Sequence, residues 1–107
     1  MSYSPQRNLL AAIRCAEQLD RHADHAGLEE QQPVAGWIAV AIARQHGIGS
    51  WGASHALRNT TRREVELILL AWGASPFTIE QHAEPLRELI VSDSFLGGSA
   101  RRQEVEA

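Results

Sequence analysis

The densest group of chemically versatile side chains is Asp20, His22, Asp24 and His25. Imidazole nitrogens and carboxylate oxygens both ligate zinc and related divalent ions, and residues three apart, such as His22 and His25, share one helix face. Asp20 and Asp24 form a separate i,i+4 pair, however, and no second local ligand cluster follows. Histidines near a helix C-terminus are also favoured by its dipole. The sequence therefore predicts a solvated helix end there, with no metal and no cofactor. For nucleophilic catalysis, Cys15 and the serines would need a base from His46, His55 or His82. Cys15 falls beside apolar helix positions, where a small buried thiol is ordinary, and Ser50, Ser54 and Ser75 are accounted for as helix caps. Gly47, Gly49 and Gly52 are neither preceded by a strand nor followed by a lysine, so they make no phosphate cradle. The expectation is a protein that is not an enzyme.

Nucleic-acid binding is the next chemistry to weigh. Thr61, Arg62, Arg63, Glu64 and Val65, followed by Leu69-Leu70 and Gly73, resemble the opening helix of a LuxR-type helix-turn-helix domain. A second alignment takes Gly73-Ala74-Ser75 as the turn, with Thr78-Ile79 and His82 on the recognition helix. That helix, Pro76 to Ile90, would set Glu80, Glu84 and Glu88 against Arg87, the wrong sign for phosphate, and Pro85 would interrupt it. The whole chain is also acidic, at net charge −3. A small regulator using Arg58, Arg62 and Arg63 on DNA is therefore the runner-up reading, and Arg62 and Arg63 are expected to pair instead with Glu66 and neighbouring helices or with an acidic partner surface.

The elements that must position these groups read as helices throughout. No stretch sustains the period-two alternation of strands. Ser4 and Pro5 start a first helix with Leu9, Ile13, Ala16, Leu19 and Ala23 inward, and Gly27 stops it. Pro33 opens a second, apolar on every face from Val34 to Ala43, which Arg44, His46 and Gly47 end. Ser50 or Ser54 caps a short third helix through Leu57. Thr61 and Glu64 have the spacing of a capping box, opening a fourth helix from Val65 to Trp72 with a stop at Gly73. Ser75-Pro76 launches a fifth, with Phe77, Ile79, Ala83, Leu86, Leu89 and Ile90 inward and a kink or restart at Pro85. Trp51-Gly52-Ala53-Ser54 echoes Trp72-Gly73-Ala74-Ser75, which reads as a shared helix-joining device. Residues 1–96 form one all-α domain, a bundle of about five helices, and 97–107 a flexible C-terminal tail.

Two helices apolar on nearly every face are hard to cover within 107 residues. The surplus predicts an intertwined or face-to-face homodimer, or capture of a protein partner. Trp37, Trp72, Phe77, Ile90 and Phe95 are the anchor candidates, with Arg62 and Arg63 for charge. Trp72, just before a glycine stop, is itself read as a buried core residue. One cysteine, no apolar run of membrane-spanning length and no signal-peptide order at the N-terminus predict a cytoplasmic protein, and the all-arginine basic set a bacterial one. In overall plan the chain resembles the small cytoplasmic antagonists of bacteria, such as antiactivators that bind quorum-sensing transcription factors. Pro5-Gln6, Leu10, Ala12-Ile13 and Cys15-Ala16 also resemble the opening helix of a small helical immunity protein against a type VI-secreted toxin. Both resemblances imply inhibition by protein binding, with a transcription regulator as one candidate partner.

Overall fold

The computed structural model describes residues 5–46 and 56–92, and all regular structure among them is helical. Four helices are α1 (Pro5–Arg21), α2 (Leu28–His46), α4 (Arg62–Ala71) and α5 (Pro76–Val91); the described part of α3 is 56–58. The expected Ser4, Ser50 and Ser54 caps, the first half of the tryptophan echo and the 97–107 tail lie outside the described residues.

The boundary between α1 and α2 differs from expectation. Helix α1 ends at Arg21 and tightens into turns, with the His22 amide bonded to the Leu19 carbonyl at 3.2 Å and the His25 amide to the His22 carbonyl at 2.9 Å. Gly27 starts α2 rather than stopping α1. Its carbonyl accepts the Gln31 amide at 3.0 Å, and its amide donates to Glu30 Oε1 at 2.8 Å. Glu29 and Glu30 then complement the positive end of the helix dipole. Pro33 lies within α2, not at its start. The carbonyl it leaves unbonded belongs to Glu29, an exposed first-turn residue that water can serve, so the helix continues.

The other boundaries follow their local chemistry. Thr61 Oγ1 accepts the Glu64 amide at 3.1 Å while Glu64 Oε1 accepts the Thr61 amide at 2.9 Å, the reciprocal capping box that opens α4. At the other end Gly73, with φ of +88°, lets its amide reach the Leu70 carbonyl and the Ala74 amide the Leu69 carbonyl, each at 3.0 Å. This is a Schellman stop, sealed by buried Leu69 and Ala74. Ser75 caps α5 with Pro76 in its first turn, and α5 runs through Pro85 without a restart. Pro85 deprives only Gln81, an exposed residue, of its carbonyl partner.

Helix α2 lies at the centre, packed on α1 and α5, while α4 packs on α5 and touches α2 lightly. Val34, Ala35, Ile38, Ala39 and Ile42 form its buried stripe, meeting Leu19 of α1, Val65 and Leu69 of α4, and Ala83, Leu86 and Ile90 of α5. Most of the apolar surface of α2 is thus covered within one chain. On α1 the buried stripe is Ala12, Ala16 and Leu19, continued by Ala23 in the turn, whereas Leu9 is exposed and Ile13 half-buried. No helix of the described residues is long and apolar enough to cross a membrane.

Candidate functional site

Because α1 and α4 both border α2 without packing closely on each other, a groove of about 300 Å³ remains between them. Its floor is the second face of α2, where Trp37, Val40, Ala41 and Arg44 recur at helical spacing beside the buried stripe. Leu9 and Ala12 of α1 form one wall; Ile68, Ala71 and Trp72 form the other. The lining is apolar except for Arg44 and Gln45 at one end. Val40 is 40% exposed and Leu9 49% exposed, so the groove is open to solvent.

The structure brings together two of the expected anchors, Trp37 and Trp72, on this groove. Trp72 is half-buried rather than a core residue. Ile90 is fully packed in the core, at 2% exposure, and offers nothing to a partner. Phe77, expected to point inward, is exposed in the first turn of α5. Phe95 lies outside the described residues. Sequence reading missed Leu9, Val40 and Ala41 as lining residues; the signal was the i,i+3,i+4 spacing of 37, 40 and 41, hidden because the neighbouring stripe is equally apolar.

Arg62 is committed within the chain: its Nε donates to Glu66 Oε2 at 2.9 Å, and its guanidinium lies 3.7 Å from Glu80 of α5. The Glu66 bond holds the guanidinium charged, raising it above its ordinary value. Arg63 is 3.8 Å from the same Glu66 carboxylate. Comparison of the chain with protein-family models, curated proteins and solved structures finds no match.

The polar residues near position 20 separate into two groups. Asp20 is not a solvated helix-end residue. Its Oδ1 accepts the Ser75 amide at 3.1 Å and the Ser75 hydroxyl at 2.7 Å, together with the hydroxyl of fully buried Thr78. The Thr78 hydroxyl, then Ser75, hold its carboxyl below the ordinary value, at the positive N-terminus of α5. Buried His82 makes a second tie, donating from Nε2 to the Ala23 carbonyl at 2.7 Å and accepting at Nδ1 from Gln31 at 3.0 Å. Both contacts are structural, locking the α1–α2 turn onto α5. His22, Asp24 and His25 remain at the surface of that turn. Among the described residues, no three His, Cys, Asp or Glu side chains converge as a metal-ligand set.

Proposed function

We propose that this is a non-enzymatic protein-binding antagonist whose groove between α1, α2 and α4 receives an apolar helix of a partner protein, blocking that partner's own assembly. The observation carrying the reading is the pairing of Trp37 and Trp72 on an open apolar groove. Large half-covered aromatics flanked by aliphatic walls are the usual anchors of helix-in-groove recognition. The antagonists that the chain resembles act by protein binding, with a quorum-sensing regulator as one candidate target. A DNA-binding role has less support, since Arg62 is held by Glu66 and lies near Glu80, and the carboxylates of Glu66 and Glu80 offset the positive charge that Arg62 and exposed Arg63 would offer to phosphate.

The test compares affinity capture by the wild-type chain and by Val40→Arg, a change at an exposed position that leaves the core intact. One dominant protein retained by wild type and lost with Val40→Arg supports the reading. Retention of DNA, or an identical protein recovered by both chains, contradicts it.

Self-association has its own surface. Leu67 and Leu70, 48% and 61% exposed, lie together on the outer face of α4, turned away from the buried Val65, Ile68 and Leu69. We infer that two chains pair through this face. Light scattering is expected to give twice 11.8 kDa, returning to 11.8 kDa in Leu67→Glu/Leu70→Glu. A mass of 11.8 kDa for the wild type at every concentration excludes the dimer.

A further inference from the structure

The geometry points to a partner helix that runs antiparallel to α2 and carries an aspartate or glutamate in its first turn, facing Arg44; the inference rests on the groove being a helix-binding site. The groove follows α2 from Trp37 to Gln45. That stretch is about 12 Å long at 1.5 Å per residue, and apolar side chains at i, i+3 and i+7 of an occupant span about 10.5 Å. A helix lying along α2 therefore sets one such stripe on the floor. A small ligand would leave much of its surface in water, because Val40 and Leu9 are open to solvent, whereas a helix brings its own polar outer face.

The polarity of the groove is confined to one end. Among its described lining residues Arg44 is the one charged side chain, exposed beside Gln45 in the last turn of α2. Arg44 already has an interaction within the chain, and its guanidinium carries five N–H donors, so a partner's carboxylate can share it. Helices α1 and α2 are consecutive, packed together and joined by a short turn, so α1 starts beside the end of α2; Leu9, in the second turn of α1, lines the groove with Arg44. The first turn of α1 holds no acidic residue, so the positive pole of its dipole adds to the field of the guanidinium. A carboxylate on the occupant is thus favoured at this end, with the apolar stripe running from there toward Trp37. Direction follows from the occupant's own dipole, since a carboxylate is favourable in the first turn of a helix and unfavourable in the last. The occupant's N-terminus then lies over the C-terminus of α2, which also sets the two dipoles antiparallel.

Fluorescence anisotropy of labelled synthetic helices, titrated with the full chain, tests the charge and the direction. The probe is an alanine-rich peptide, stapled on its outer face, with leucines at i, i+3 and i+7 and a glutamate one turn before the first leucine. One comparison peptide carries lysine at that position; the other carries the glutamate one turn after the last leucine, with the same net charge as the probe. The glutamate-first peptide is expected to bind roughly three- to fivefold tighter than either, the strength of an exposed ion pair, and to lose that preference in about 1 M salt. Arg44→Gln should remove most of the preference, Arg44→Lys should keep the order, and Val40→Arg should abolish binding of all three peptides, with circular dichroism confirming the fold of each variant. Equal affinities in the wild type, a reversed order, or an undiminished order in Arg44→Gln overturns the proposal and leaves the groove a helix site. Absence of binding by every peptide contradicts the groove reading itself, and this inference with it. A dimer disrupted by Val40→Arg but not by Leu67→Glu/Leu70→Glu would seat a second copy of the chain in the groove and overturn it as well.

Discussion

Asp20 is the residue through which the turn after α1 governs the start of α5. Its one carboxylate oxygen satisfies an amide and two hydroxyls at the N-terminus of a helix, a place where negative charge is favourable. Asp20→Ala removes the acceptor shared by the Ser75 amide and the Ser75 and Thr78 hydroxyls and is expected to lower stability by about 2 kcal/mol in urea unfolding at neutral pH. Since the folded state holds this carboxyl below its ordinary value, its contribution is complete above the unfolded value and disappears as pH falls through the folded one. The gap between wild type and Asp20→Ala should therefore be constant near neutrality and narrow below about pH 4. A gap independent of pH would assign the effect to packing. Thr60 presents the opposite case: its buried hydroxyl finds no partner among the described residues. Thr60→Val, of the same shape, is expected to raise the urea midpoint, by up to about 1 kcal/mol in stability.

At the scale of elements, what was legible in the sequence was whatever local chemistry decides. Thr61 and Glu64 announce the start of α4, and Ser75-Pro76 that of α5, because capping involves residues three apart. Gly73 announces a stop, and its φ of +88° is the reason. A Cβ at Gly73 would meet no atom within 4 Å, so Gly73→Ala isolates the backbone cost. A loss of about 1 kcal/mol in thermal unfolding is expected, and a neutral result would remove the Schellman stop from the explanation. Gly27 was misread because glycine both ends and begins helices, and what decides between them, the Glu30 carboxylate folding back on the Gly27 amide, is visible only in three dimensions. Pro33 was overweighted as a helix start and Pro85 as a restart: the carbonyls they leave unbonded belong to exposed residues, where water replaces the missing donor. Helical periodicity located Ala16, Leu19 and Ala23 at and just past the end of α1 and Ala83, Leu86 and Ile90 on α5, yet α2 and α4, apolar on nearly every face, showed no stripe, so it could not tell that one apolar face of α2 would be buried and the adjacent one left on a groove.

For the whole molecule, that division of α2 replaces the expected excess of apolar surface with a defined groove. The covered stripe holds the bundle together; the second face, with Trp37 and Val40, sits between α1 and α4. Trp72 belongs mainly to this groove and only partly to the core. Trp72→Ala is therefore expected to cost about 1–2 kcal/mol rather than the 3–5 of a fully buried aromatic, and to weaken partner capture more than it weakens the fold. A melting-temperature loss as large as that of a core truncation would return it to the interior. The most direct measurement of the groove's role is site-specific photocrosslinking in cells, with a photoreactive side chain at position 40 on the groove floor and a control at exposed position 81 on the outer side of α5. The expected result is one dominant adduct with a different protein from position 40 and none from position 81. The same adducts from both positions, or none from position 40, would contradict a partner helix seated between α1, α2 and α4.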